Sequence, residues 1–165
     1  MISLKIKDIK TFMSHLLIKN TFDNFLLSEA LVSTSNTFTI DGTINKSFYT
    51  DEERACLDDE TYSKWSQIKP FCFNIIKGNK VPTNLKVIFL LSKQDMLNII
   101  DISSLNFEPA DIKGLFLNIK YCDDGLTIIT GTSLSVFTMD KTLEHSFDKY
   151  VKLFLSDNSI DFEEM

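Results

Sequence analysis

The residues that most often announce chemistry are scarce in this sequence. It has two histidines, one tryptophan, three prolines and five glycines. Cys56, Cys72 and Cys122 are odd in number and widely spaced, with no Cys-x-x-Cys pair and no histidine nearby. That argues against a disulfide framework or a zinc site and for reduced thiols, with Cys72 buried in an apolar run. No Gly-x-Gly-x-x-Gly series and no Walker-type loop precedes a helical stretch, so neither a nucleotide cradle nor a cofactor is expected. The opening residues Met1-Ile2-Ser3-Leu4-Lys5-Ile6-Lys7-Asp8 lack the basic-then-apolar order of a secretory signal, and no later run approaches the length of a membrane span. A soluble, cytoplasmic protein without membrane contact is expected.

What is present is an ordinary globular balance over 165 residues, 44% hydrophobic and 24% charged, enough for one domain with its own core. Phenylalanine is in excess, with 14 copies, and points to a Phe-rich core. The formal charge of −6 is uneven. Asp51, Glu52, Glu53, Asp58, Asp59 and Glu60 face only Arg54 within one stretch, and Asp157, Asp161, Glu163 and Glu164 crowd another. Outside those two stretches bases outnumber acids, which permits a modest nucleic-acid contact without predicting one.

Periodicity orders the chain. Ile2, Leu4 and Ile6 alternate as a strand; Asp8 then caps a helix whose Ile9, Phe12, Met13, Leu16 and Leu17 form one apolar stripe, with Lys7, Lys10, Ser14 and His15 opposite. An apolar strand from Phe25 leads to a hairpin read at Asp41-Gly42, between Thr37-Phe38-Thr39-Ile40 and Thr43-Ile44. Thr61 caps a helical connector interrupted or reopened at Pro70, and residues 79–83 turn. The second half repeats the order: a strand over residues 85–91, a helix over 93–101, a strand over 115–121, a turn at Asp123-Asp124-Gly125, and strands over 126–130 and 134–139 with a bend at Gly131. A last helix buries Leu143, Phe147, Tyr150, Val151, Phe154 and Leu155. The expected organisation is one α+β domain over residues 1–156, a twisted antiparallel sheet with helices mainly on one face. It comprises strand-helix-three-strand units at 1–50 and 84–140, a helical connector at 51–83, a C-terminal helix at 141–156, and an acidic, frayed tail at 157–165.

No catalytic constellation emerges. His15 lies on a helix face without an adjacent nucleophile, and His145, near Lys141 and Asp148, reads as a solvated helix residue. The pairs Asp58-Asp59 and Asp123-Asp124 sit in a charge run and a turn, which explains them without metal or acid-base work. Gly131-Thr132-Ser133 falls between strands, not at the strand-to-helix turn that exposes a serine nucleophile.

Several stretches carry a resemblance: Ile2 to Phe12, Phe22-Asp23-Asn24-Phe25-Leu26-Leu27, Phe38-Thr39-Ile40-Asp41-Gly42, Pro70-Phe71-Cys72-Phe73 and Gly131-Thr132-Ser133-Leu134. Over nearly its full length the chain resembles an uncharacterised bacterial family, a domain of unknown function, which implies no activity. Leu115-Phe116-Leu117-Asn118-Ile119 followed by Asp124 to Leu134 also resembles the strand meander of bacterial DNA sliding clamps, with Ser133 and Ser135 where that meander has acids. That resemblance implies paired strand-helix-three-strand units and helices that face DNA with basic residues. Here that role falls to Lys7, Lys10 and Lys19 on the first helix and Lys93 at the start of another.

The function expected is therefore that of a non-catalytic binding or adaptor protein with a protein partner, and DNA as a further partner if the clamp arrangement holds. The rival is a small ligand-binding domain or enzyme with a pocket lined by the Thr/Ser-rich strands at 34–47 and 127–138. A third reading docks the acidic tail onto another protein through Ile160, Phe162 and Met165. The partner's identity and the oligomeric state are left open.

Overall fold

The computed structural model describes residues 1–57, 60–78 and 80–165. The Asp58-Asp59 pair and the Asn79 end of the expected turn lie outside them.

Alternation at the start of the chain makes β1 (Ser3–Ile6), with Leu4 and Ile6 buried. Asp8 caps α1 (Ile9–Leu17), its carboxylate accepting from the Thr11 N–H at 3.0 Å and hydroxyl at 2.7 Å. There follow β2 (Leu26–Ser33), β3 (Thr37–Asp41), the short α2 (Asp51–Ala55), α3 (Trp65–Ile76), β4 (Asn84–Leu90), α4 (Lys93–Ile102), β5 (Ile112–Cys122), β6 (Gly125–Leu134), α5 (Thr142–Asp157) and β7 (Phe162–Glu164). The seven strands among the described residues form one antiparallel sheet in the order β3-β2-β4-β5-β6-β1-β7, not closed into a barrel. The α+β class with helices on an antiparallel sheet is thus as read from the sequence.

One face of the sheet carries the core. Leu27, Ala30 and Val32 of β2, Leu85, Val87 and Phe89 of β4, Leu115, Leu117 and Ile119 of β5, and Leu126 and Ile128 of β6 point the same way and meet the helices. Phe22 is the hub, with ring centroids of Phe12, Phe25, Phe89 and Phe154 within 5.4 to 5.8 Å. The opposite face is open to solvent among the described residues, as antiparallel sheets permit. Lys5, Lys120 and Ile129 are exposed on it and Lys86 pairs with Glu29 at 3.1 Å.

Four details differ from the sequence reading. The hairpin turn is at residues 34–36, between β2 and β3; Asp41-Gly42 ends β3 instead. Gly42 is there for close approach, not for a positive φ: its N–H donates to the Ser28 carbonyl at 2.9 Å across a bulge at residues 27–29, and a Cβ would lie 1.7 Å from the Leu27 carbonyl oxygen. Secondly, residues 61–63 are extended, because the Ser63 N–H bonds the Gly42 carbonyl and the Leu27 N–H bonds that of Ser63; the helix begins only at Trp65 and continues through Pro70. Thirdly, β6 continues past Gly131 to Leu134 and no strand follows over 135–139, so each half is strand, helix, two strands. The halves are also interleaved, since β1 of the first flanks β6 of the second while β2 and β3 lie beyond β4. Finally, the tail does not fray. Ile160 is buried, Phe162 to Glu164 pairs with β1, and the Met165 N–H bonds the Ser3 carbonyl, so the apolar residues between the acids anchor it to its own sheet.

Candidate functional site

Two clefts open at the end of the sheet where β4 stops and α4 starts. A cleft of 610 Å³, open to solvent, is walled by Leu26, Leu90, Met96, Tyr62, Pro109 and Lys113. It adjoins a second, of 420 Å³, around the first turn of α4, where Lys64, Lys93, Asn24 and Asp95 meet. Ser92 already occupies the helix start: its Oγ accepts from the Asp95 N–H at 3.1 Å and donates to Asp95 Oδ2 at 2.7 Å.

The same end carries the loop between β6 and α5, residues 135–141. Its base is fixed, because the Ser135 N–H donates to the Asp111 carbonyl at 2.8 Å and the Ser135 hydroxyl to the same oxygen at 3.1 Å. Its far side is fixed too: Thr138 Oγ1 accepts from the Asp140 N–H at 3.0 Å, and Asp140 Oδ1 from the Thr142 N–H at 2.8 Å. Between these ties Val136 is 50% exposed, Phe137 94% and Met139 86%. The sequence reading missed this loop because Leu134, Val136 and neighbouring residues pass for a strand; the Thr138-x-Asp140-x-Thr142 pattern of turn and cap residues was the available signal.

The lysines singled out in the sequence do not converge. Lys7 and Lys10 stand exposed at the start of α1, at the end of the sheet where β6 begins; Lys93 stands where β4 ends, at the opposite end. Lys19, beyond the end of α1, is separated from Lys7 by the whole of that nine-residue helix, roughly 13 Å at 1.5 Å per residue. Its ammonium is turned to His15 Nε2 at 3.1 Å and its carbonyl accepts from the buried Lys69 Nζ at 3.0 Å, which also pairs with Asp23.

His15, expected on the solvent face, is only 6% exposed. Lys19 can only donate, so Nε2 is the acceptor and Nδ1–H donates to Thr21 Oγ1 at 2.7 Å: the neutral ring joins both ends of one turn. Burial, and then the Lys19 charge, hold its pKa below the ordinary 6.5. The unfolded chain therefore takes up this proton more readily than the folded one. The stabilisation is complete above about pH 6.5 and is lost as the pH falls through the lower folded-state value. Between about pH 7.5 and about pH 5.5 the urea midpoint of the wild type should drop further than that of His15→Gln; parallel curves would remove His15 from the pH response.

Burial pushes the Cys72 thiol up to about 11, and Tyr150 up to about 12 by burial and then the Asp95 charge. Asp148 is buried on α5 and accepts from the Thr130 hydroxyl and, at 2.9 Å, from the Met1 nitrogen. His145 is exposed. The two Thr/Ser-rich strands do not face each other, since β2, β4 and β5 intervene between β3 and β6. Among the described residues no group of three or more His, Cys, Asp or Glu side chains is placed to hold a metal ion, and no helix is long and apolar enough to cross a membrane.

No curated protein and no solved structure matches the chain. A family model does, over residues 15–163, which takes in α1 from His15 onward and every later element as far as β7. The chain belongs to that family, a family of unknown function (DUF5721).

Proposed function

We propose that the protein is a non-catalytic binding or adaptor protein that holds a partner protein at the end of the sheet formed by the clefts and the loop at residues 135–141. The observation that carries the reading is an apolar tip on a braced loop. Val136, Phe137 and Met139 face solvent although the backbone on either side is tied down by Asp111, Thr138 and Asp140. Exposed Phe and Met on pre-ordered backbone are the composition of an interface centre, where little ordering entropy remains to be lost on binding. The adjacent clefts supply a rim in which Lys64, Lys93 and Lys113 alternate with Glu60, Asp95 and Glu108.

Phe137→Ser with Met139→Ser should leave the folding free energy from urea titration within about 0.5 kcal/mol of the wild type, because exposed side chains away from caps contribute little to folding. The same double substitution should release a partner that the wild type retains in quantitative affinity capture. An unchanged set of retained proteins, with the fold intact, would sink the reading.

A second reading, contact with DNA as in a clamp-like replication or repair protein, is favoured by Lys7 and Lys10 standing exposed together at the start of α1. It is tested with a labelled duplex. Lys7→Glu plus Lys10→Glu should weaken binding and flatten its salt dependence by about two counterions; identical curves exclude that surface.

A further inference from the structure

The two edges of the sheet are built differently. β7 is short and presents Glu163 and Glu164, exposed acids of the kind that keep a strand edge from pairing. β3 is Thr37-Phe38-Thr39-Ile40-Asp41, β-branched or aromatic until its last residue, without lysine or proline. Among the described residues no strand pairs with its outer side.

Which backbone groups face outward follows from the ladder. The Thr34 N–H donates to the Asn36 carbonyl at 2.8 Å and the Gly42 N–H to that of Ser28 at 2.9 Å. Those residues are opposite one another in the same register as Val32 with Phe38 and Ala30 with Ile40. Hydrogen-bonded pairs alternate in an antiparallel ladder, so Phe38 and Ile40 bond β2 while Thr37, Thr39 and Asp41 turn both N–H and C=O away from it. Among the described residues no backbone group outside the sheet bonds these three.

We propose that this edge pairs with the same edge of a second copy of the chain, β3 antiparallel to β3 about a two-fold axis at Thr39, making one continuous sheet across a homodimer. The sequence is complementary to itself in that register. Thr39 faces Thr39, and each exchanges both backbone bonds with its partner. Thr37 faces Asp41 of the other copy in both directions, so a hydroxyl meets an exposed carboxylate whose Oδ1 accepts from the Thr43 N–H at 2.8 Å and which, with two oxygens, can accept further bonds. Phe38 faces Ile40, an aromatic against a β-branched residue, on the core side. A shift of one residue would oppose outward N–H groups with side chains turned to the wrong face. Pairing of β3 with β7 would instead propagate head to tail without closing, and the acids of β7 oppose it.

The test is solution mass by light scattering on the intact chain at about 100 µM, within the concentration range where weak homodimers populate. The wild type should show twice the 18.9 kDa of one chain. Thr39→Pro should show the single-chain mass with an unchanged circular dichroism spectrum, because the proline removes an outward N–H and none of the bonds to β2. Thr39→Lys and Thr39→Glu guard against a folding defect in the proline variant. Each alone places like charges across the axis and should be monomeric, while an equimolar mixture should recover the dimer mass. A single-chain mass for the wild type overturns the self-pairing and leaves the edge to a strand of another protein. A dimer that persists in Thr39→Lys, or a mixture that stays monomeric, overturns it as well.

Discussion

Trp65→Ala should lower the folding free energy by about 4 kcal/mol, in the range measured for removing a fully buried aromatic side chain. Trp65 is the single tryptophan and has no exposed surface. Its ring stands edge-on to Phe89, centroids 5.1 Å apart, which brings α3 onto β4. Its Nε1–H donates to the Leu16 carbonyl at 2.7 Å, satisfying an acceptor in the last turn of α1. One side chain thus joins two helices and the sheet. With a denaturant slope of about 2 kcal/mol per molar, the urea midpoint followed by circular dichroism should fall by about 2 M. Trp65→Phe separates the two roles: it keeps an aromatic face for Phe89 but leaves the Leu16 carbonyl unpaired, and should lose about 1 to 2 kcal/mol. Equal losses in both variants would mean that the hydrogen bond, not the packing, dominates.

Gly42→Ala should be almost as damaging, about 3 kcal/mol or more, although only a methyl group is added. The clash is with the Leu27 carbonyl, which is backbone and cannot rotate away, at a place where Gly42 is bonded to Ser28 on one side and Ser63 on the other. Relief requires opening the bulge, and the bulge seats both the extended residues 61–63 and the Leu27 N–H. Gly125→Ala is the contrasting case: φ is +116° with only Lys5 Cε nearby, at 3.7 Å, so its loss is limited to backbone strain in a turn. A Gly42→Ala loss below about 1 kcal/mol would show that the bulge yields.

These two sites mark where sequence reasoning stopped. The amphipathic helices are legible because their apolar residues recur on one face: Phe12, Leu16 and Leu17 of α1 and Leu143, Phe147, Val151 and Leu155 of α5 are all buried. Strands β1, β4 and β5 were legible from alternation or continuous apolarity. Asp41-Gly42 was not, since the pair looks the same whether glycine supplies a positive φ or merely lacks a Cβ. That distinction depends on Ser28 and Ser63, which no local pattern connects. Helical spacing puts His15 on the face of α1 away from the apolar stripe; its burial depends on Thr21, beyond the helix end. In the tail the acids suggest fraying, but Ile160 and Phe162 between them hold it against the sheet. The surface at residues 135–141 was hidden by residues that suit a strand equally well.

Sheet order also sets a timetable. β1 is made first, yet Ser3 has no ladder partner until Ile129 exists, and Ile6 none until Phe162. β2, β3, β4, β5 and β6 can zip in succession, each onto a neighbour close in the chain apart from the longer step from β2 to β4. The β1 to β6 closure spans most of the chain, and contacts of that separation slow folding. Until it forms, the free side of β6 is an open edge with Leu126, Ile128 and Thr130 uncovered by α5 and β1. Slow refolding and loss to aggregates should therefore respond to substitutions in the β1 to β6 pairing far more than to equally destabilising ones in the β2 and β3 hairpin.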